Sequence, residues 1–136
     1  MKVLALDYGS ARTGVAVSDP TGTVARPLGV VEAAASEQGI ARLVELAHEE
    51  QVERVVVGLP VTLRGERGAQ AEETDRFVSL LREALDLPIE SFDERFTTKL
   101  ARQTRRGRAR RPPAEDAVAA AHLLTSYLTW KSARPA

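Results

Sequence analysis

The sequence predicts an α/β protein with a five-stranded mixed sheet and helices on its faces. Three short β-rich segments near the N-terminus are separated only by turns, which indicates an antiparallel meander. Two later apolar segments each follow a segment of helical periodicity, which is typical of parallel strands reached through helix crossovers. One of these, "RVVVGLP" at 54–60, is continuously apolar, as expected for a strand covered on both faces.

The first half of the chain supplies the meander and one helix. Residues 2–7 are apolar and β-rich, and residues 13–18, "TGVAVS", alternate in the manner of a second strand. The turn sequence "DPTGT" leads into a third strand at 23–31, which Pro27 assigns to an edge of the sheet. Ser36 then precedes a helix whose apolar face carries Ile40, Leu43, Val44 and Ala47.

The second half alternates between helix and strand. After 54–60, apolar residues recur at helical spacing at Ala71, Val78, Leu81 and Leu85. The segment "LPIESFD" at 87–93 is predicted as the fifth strand, and a shorter helix is predicted to start near Thr97. The pair Pro112–Pro113 opens a last helix, from about Ala114 to Trp130. No linker divides the chain, so residues 1–136 are predicted to form a single domain.

Composition restricts the chemistry that the chain can perform. It has no cysteine and only two histidines, which excludes thiol chemistry, cysteine-ligated zinc and a His-rich metal site. A bound metal would therefore need oxygen ligands, which suits Mg²⁺ or Mn²⁺. No apolar run approaches the roughly 20 residues of a membrane span, and the N-terminus lacks a signal-peptide pattern. We therefore expect a cytoplasmic protein.

Positive charge is concentrated in one segment although the net charge is zero. Residues 95–111 contain eight basic residues and no acidic one, so the remainder carries 11 basic residues against 19 acidic residues, a charge of −8. Such a segment on an acidic body predicts binding to a polyanion. The alternative is a solvated arginine-rich loop without a partner.

Four carboxylates stand apart from the acidic residues of the exposed helix faces. Asp7 ends the first strand, Asp93 and Glu94 end the fifth, and Asp116 lies in the first turn of the last helix. Asp116 shares its face with the apolar residues Ala120, Leu123 and Tyr127, where a carboxylate is costly unless it is paired or metal-bound. A simpler explanation for an acidic residue at position 116 is its favourable interaction with the helix N-terminus. Three carboxylates held together would repel one another without a cation, so the set predicts a site for a hard metal.

Four segments resemble the motifs of the YqgF/RuvX family. They are "LALDYGSARTGVAVSD", "VVVGLP", "SFDERFTT" and "EDAVAAAHLLTSYL", and they occur in the family's order over nearly the whole chain. The resemblance implies an RNase H-like fold and a metal-dependent nuclease. Members of this family are named for maturing the 5′ end of pre-16S ribosomal RNA and for resolving Holliday junctions.

The resemblance implies roles for three acidic residues, and positive charge indicates a role for the basic residues. Asp7, Glu94 and Asp116 would be the catalytic carboxylates and the metal ligands, with Asp7 bridging two divalent ions that assist phosphodiester hydrolysis. Asp93 is a weaker candidate, because adjacent strand residues face opposite ways. The predicted phosphate-binding residues are Arg12, Lys99, Arg102, Arg105, Arg106, Arg108, Arg110 and Arg111.

The sequence leaves the natural substrate open. We favour RNA, by family resemblance, over branched DNA. A symmetric cut of a four-way junction normally needs a two-fold dimer, whereas this chain shows no clear dimer stripe and is predicted to be a monomer or weak homodimer. A binding module without catalysis is a further alternative. The segment "DYGSARTG" also resembles the phosphate hairpin of actin-like and sugar-kinase ATPases, but those need a second such domain.

Overall fold

One five-stranded sheet organises the described part of the chain. The computed structural model describes residues 1–60, 68–93 and 112–133. The strands are β1 (Val3–Asp7), β2 (Arg12–Ser18), β3 (Ala25–Glu32), β4 (Arg54–Leu59) and β5 (Ile89–Asp93). The helices within these ranges are α1 (Glu37–Glu49), α2 (Ala69–Ala84) and α3 (Pro113–Ser132).

The sheet has the predicted mixed topology, with the strand order β3-β2-β1-β4-β5. Strands β1, β2 and β3 are antiparallel neighbours, while β4 is parallel to β1 and β5 is parallel to β4. The carboxyl ends of β1, β4 and β5 therefore meet at one edge of the sheet, which we call the carboxyl edge. Asp7 is the last residue of β1 and lies at this edge.

Strand β3 is an edge strand, as Pro27 predicts, but it begins at Ala25 rather than at residue 23. The carboxylate of Asp19 explains the later start, because it accepts hydrogen bonds from the backbone N–H groups of Thr23 and Val24 at 2.7 and 2.8 Å. Those two residues are therefore held in the turn. The register of β2 against β3 shifts between Val15 and Ala16, where Pro27 faces β2 without an N–H group to donate.

Each face of the sheet buries its own apolar cluster. Leu4, Leu6 and their neighbours pack against α1 and α2. Val3, Ala5 and Ala16 pack on the other face against the α3 residues Ala120, Leu123, Leu124 and Tyr127. Strand alternation makes this division, because successive side chains point to opposite faces. Residue 7 has the same parity as Val3 and Ala5, so Asp7 lies on the face that α3 covers.

The predicted helix near Thr97 lies outside the described residues. Within the described ranges, no helix combines the length and the hydrophobicity that a membrane crossing requires.

Candidate metal and nucleic-acid site

Two of the predicted carboxylates are buried at the carboxyl edge, on the same face of the sheet. Asp7 is 1% exposed and Asp116 is fully buried. Asp7 is held by the central strand β1, and Asp116 lies in the first turn of α3. Both side chains therefore come from regular elements, which fixes their positions more closely than a loop would.

Gly14 of β2 brings these two elements together. It is the antiparallel neighbour of Asp7 in the register of β1 and β2. A Cβ atom at this position would lie 1.9 Å from the backbone oxygen of Asp116 and 2.4 Å from its carbonyl carbon. Only glycine allows the backbone of α3 to approach the strand this closely. The one signal of this role in the sequence is a glycine inside a strand, which did not by itself predict the contact.

Asp116 forms an ion pair with Arg12, the first residue of β2. The guanidinium Nε of Arg12 donates to Oδ2 of Asp116. The side chain of Arg12 is 22% exposed, whereas that of Asp116 is completely enclosed. Arg12 was predicted to bind phosphate, and that role stays a prediction; the structure additionally places the residue against a predicted metal ligand.

The loop between β1 and β2 is fixed by hydrogen bonds around Thr13. Its buried hydroxyl accepts from the N–H of Gly9 at 3.3 Å and lies 3.4 Å from the Gly9 carbonyl oxygen. The N–H of Ala33 donates to the carbonyl oxygen of Ala11 at 2.9 Å, which ties the loop to the end of β3. Asp7 and Arg12 are thus connected by a loop that is anchored at several points.

Tyr8 continues from Asp7 on the opposite side of the sheet. Its ring stacks on Phe77 of α2, with the ring centroids 4.5 Å apart. Burial and the neighbouring carboxylate of Glu73 raise the pKa of the Tyr8 phenol, because both disfavour its ionised form. This stacking anchors the chain immediately after Asp7 to the α2 layer.

The acidic pair at the end of β5 is only partly described. Asp93 is half-buried and shares the strand parity of Ile89, which packs in the α1/α2 cluster. By alternation it lies on the face opposite to Asp7, whereas Phe92 packs against α3. Glu94 lies outside the described residues, as do Lys99, Arg102, Arg105, Arg106, Arg108, Arg110 and Arg111.

Asp7 and Asp116 suit a hard divalent cation because both supply carboxylate oxygens from buried positions on regular elements. Within residues 1–60, 68–93 and 112–133, no group of three His, Asp or Glu side chains is arranged to hold a metal ion. The third predicted ligand, Glu94, lies outside these ranges.

A second polar cluster, which the sequence analysis missed, lies at the opposite edge of the sheet. Glu90 Oε1 accepts hydrogen bonds from Arg54 Nη1 and from the Tyr127 hydroxyl, both at 2.8 Å. Burial and this carboxylate raise the pKa of Tyr127 to about 12. Tyr127 follows Asp116 by eleven residues, or about 16 Å along a helix, so α3 crosses the whole sheet from one polar cluster to the other.

Two solved structures share the fold of this chain. RuvC of T. thermophilus in complex with a Holliday junction substrate has a TM-score of 0.61 and 20% identity, covering 97% of this chain and 96% of that one. The Fowlpox virus resolvase in complex with Holliday junction DNA has a TM-score of 0.59 and 9% identity, covering 96% and 99%. At these identities the likeness concerns the fold alone, and that fold is the RNase H-like fold predicted from the sequence.

The family follows from the sequence comparisons. The family model described as "RuvX: Holliday junction resolvase" matches residues 1–130, and the chain belongs to this family. A relative from Chloroflexus aurantiacus is 45% identical over 137 residues, covering 98% of this chain and 90% of that protein. A relative from Desulforudis audaxviator is 40% identical over 132 residues, covering 94% of each. Both relatives carry the name "Putative pre-16S rRNA nuclease".

Proposed function

We propose that this protein is a metal-dependent nuclease that hydrolyses phosphodiester bonds, with the immature 5′ end of pre-16S ribosomal RNA as its substrate. The observation that carries the proposal is the burial of Asp7 and Asp116 on one face at the carboxyl edge, brought together through Gly14. Burying two carboxylates near each other is unfavourable unless cations compensate them. The names of the relatives support RNA as the substrate.

The proposed metal ligands are Asp7, Glu94 and Asp116, and the proposed ion is Mg²⁺ or Mn²⁺. Bound divalent ions would supply charge neutralisation at the phosphate and a more acidic water. Asp7 and Asp116 would hold the ions in fixed positions, since both belong to elements packed in the core. The basic residues from Lys99 to Arg111 would bind the phosphate backbone, which positions a nucleic acid without reading its sequence.

Three further statements belong to this proposal. We propose that residues 1–136 act as one domain, that the protein is a monomer or weak homodimer, and that it works in the cytoplasm. Two strand ends and one helix start from a single chain would provide the whole ligand set, so no second copy is required for chemistry.

Resolution of branched DNA is the second candidate, favoured by the description of the matching family. A comparison of three labelled substrates separates the candidates: a 5′-extended 16S RNA segment, DNA of the same sequence and a four-way DNA junction. We expect cleavage of the RNA with Mg²⁺ or Mn²⁺ and none in EDTA. Paired symmetric nicks in the junction, with the RNA intact, would instead identify a resolvase. Binding of all three without cleavage of any would identify a binding module.

A further inference from the structure

The ion pair between Arg12 and Asp116 places a side-chain cation at a carboxylate that we assign to the metal. The two residues are 104 positions apart in sequence, so the fold alone brings them together. Because Asp116 is fully buried, its attraction to the guanidinium is weakly screened by solvent. The pair is therefore stronger than an exposed pair such as Arg42 with Glu49 on α1.

The position of Arg12 is determined by its strand. Arg12 has the same parity in β2 as Gly14 and Ala16, and Ala16 packs in the cluster under α3. Its side chain therefore rises from the sheet directly beside the point where the backbone of Asp116 contacts Gly14. The loop before it is anchored through Ala11 and Thr13. The strand and the anchored loop fix the backbone of Arg12, so only its side chain would have to rotate for Arg12 to leave Asp116.

We propose that Arg12 is the resident counter-cation of Asp116 and that it exchanges this carboxylate for a phosphate of the nucleic acid when the metal binds. This inference rests on the proposed function, because it assigns a regulatory role at the same site. A guanidinium and a divalent ion on one carboxylate would repel each other, so they compete for Asp116. The side chain of Arg12 is partly exposed, so its released donors are within reach of a bound polyanion.

The exchange makes metal binding and nucleic-acid binding cooperative. A nucleic acid that captures Arg12 leaves Asp116 available to the ion, and an ion that captures Asp116 leaves Arg12 available to phosphate. Linkage requires each ligand to raise the affinity for the other by the same factor. The protein would therefore bind its metal weakly alone and more tightly with its substrate in place, which favours assembly of the site around nucleic acid.

The test is a Mn²⁺ titration of the full chain, followed by calorimetry and by the melting temperature, for the wild type and Arg12→Gln. Arg42→Gln is the matched control, because it removes one positive charge from an exposed pair on α1. Without nucleic acid, we expect Arg12→Gln to bind Mn²⁺ about 5-fold or more tightly than the wild type, within the usual range of coupling between sites. Arg42→Gln should bind it with wild-type affinity.

The second half of the test uses a short RNA with nuclease-resistant linkages. In the wild type this RNA should raise the affinity for Mn²⁺. In Arg12→Gln the RNA should raise it less, and the shortfall should equal the factor by which Arg12→Gln binds Mn²⁺ more tightly than the wild type without RNA. Arg12→Lys keeps a cation beside Asp116 and should have wild-type Mn²⁺ affinity. If Arg12→Gln fails to fold, the wild type decides, because an RNA that leaves its Mn²⁺ affinity unchanged contradicts the exchange.

Three further results would overturn the inference, and one of them also concerns the proposed function. If Arg12→Gln lowers the melting temperature and leaves Mn²⁺ affinity unchanged, Arg12 is only a structural partner of Asp116, and the metal site stands. If Arg12→Lys binds Mn²⁺ as tightly as a folded Arg12→Gln, the cation at this position does not compete with the metal. If neither the wild type nor Arg12→Gln binds Mn²⁺ with or without RNA, the proposed metal site fails, and this inference fails with it.

Discussion

The carboxylates at the two edges of the sheet have different surroundings: Asp116 is fully buried, whereas the side chain of Glu90 is 30% exposed. Glu90 accepts hydrogen bonds from Arg54 and Tyr127, and the fully buried Tyr127 is held in place by the core. Asp116 is paired with Arg12, which in our proposal exchanges this carboxylate for a phosphate. A fixed partner is typical of a structural cluster, whereas an exchangeable partner suits a site that must accept a ligand. This difference leads us to assign structure to one edge and chemistry to the other.

Removal of the Tyr127 hydroxyl should weaken the structural cluster. At neutral pH, Tyr127→Phe should lower the free energy of unfolding by about 1.5 kcal/mol, because the charged carboxylate of Glu90 no longer accepts a hydrogen bond from the Tyr127 hydroxyl. The pKa of Tyr127 is raised from 10.0 in a model compound to about 12 in the folded protein. The stabilisation is therefore complete below pH 10. It is lost as the pH rises from 10 towards 12, because in this range the phenol ionises in the unfolded state but not in the folded state.

Urea denaturation of the wild type and Tyr127→Phe at pH 8, 10 and 11 measures this effect. The difference between the two proteins should be constant from pH 8 to 10 and should shrink at pH 11. A difference that stays constant through pH 11 would show that the folded phenol has an ordinary pKa and no close bond to Glu90.

At the scale of elements, the close approach of α3 to β2 positions Asp116 in the proposed site. The backbone of Asp116 contacts Gly14, and the apolar face of α3 continues from there along the sheet to Tyr127. The packing that stabilises α3 therefore also fixes the distance between Asp116 and the strand that ends in Asp7. Stability and site geometry depend on the same contact.

Gly14→Ala should disrupt this contact. Its Cβ would overlap backbone atoms of Asp116 and not the end of a flexible side chain, so α3 must shift or the protein must unfold. We expect a loss of about 3 kcal/mol or more in the free energy of unfolding, at the upper end for overpacking. Gly29→Ala is the control, because a Cβ at that strand position meets nothing within 4 Å. It should change stability by about 0.5 kcal/mol or less. Equal melting temperatures for the two variants would contradict the close approach of α3.

The sequence was sufficient to predict the elements and the sheet because hydrophobic periodicity and turn residues are local signals. The edge position of β3 followed from Pro27, and the buried face of α3 followed from the spacing of Ala120, Leu123 and Tyr127. The start of β3 was predicted two residues early, since no propensity reveals that the Asp19 carboxylate captures two backbone N–H groups.

The contacts within the site could not be predicted from the sequence. Arg12 was predicted to bind phosphate from its charge alone. Its pairing with Asp116 depends on how closely α3 packs on β2. Glu90 was overlooked because one acidic residue in a strand carries no signal of its partners, which come from β4 and α3. Such contacts depend on tertiary distances that periodicity does not specify.

At the scale of the whole molecule, charge is segregated along the chain. Eight basic residues fall within 95–111, and the remainder has a formal charge of −8. An acidic body repels nucleic acid, so this segment, which lies outside the described residues, would have to supply most of the attraction. Binding should therefore depend strongly on salt, because phosphate contacts release counterions.

Replacing Arg105, Arg106, Arg108, Arg110 and Arg111 by Gln tests this segment. Affinity for single-stranded RNA should fall for all sequences alike, and the slope of log affinity against log salt should flatten by up to about 3.5, or roughly 0.7 per lost contact. Turnover at saturating substrate should change much less. The control replaces Arg26 and Arg42, which are exposed on the acidic body. Unchanged affinity and slope in the five-fold variant would mean that nucleic acid binds elsewhere.

The central claim is that Asp7 serves catalysis and not folding, and single-turnover cleavage of a 5′-extended 16S RNA by Asp7→Asn tests it most directly. The carboxylate is buried at the end of β1 among residues that hold a metal in our proposal, so its charge should be dispensable for the fold. With Mg²⁺, we expect the wild type to cleave and Asp7→Asn to be slower by a factor of about 1,000 or more, the scale on which loss of a main electrostatic group acts. Their melting temperatures in EDTA should agree closely, or the variant should melt slightly higher. Cleavage by a folded Asp7→Asn at near the wild-type rate would contradict the claim.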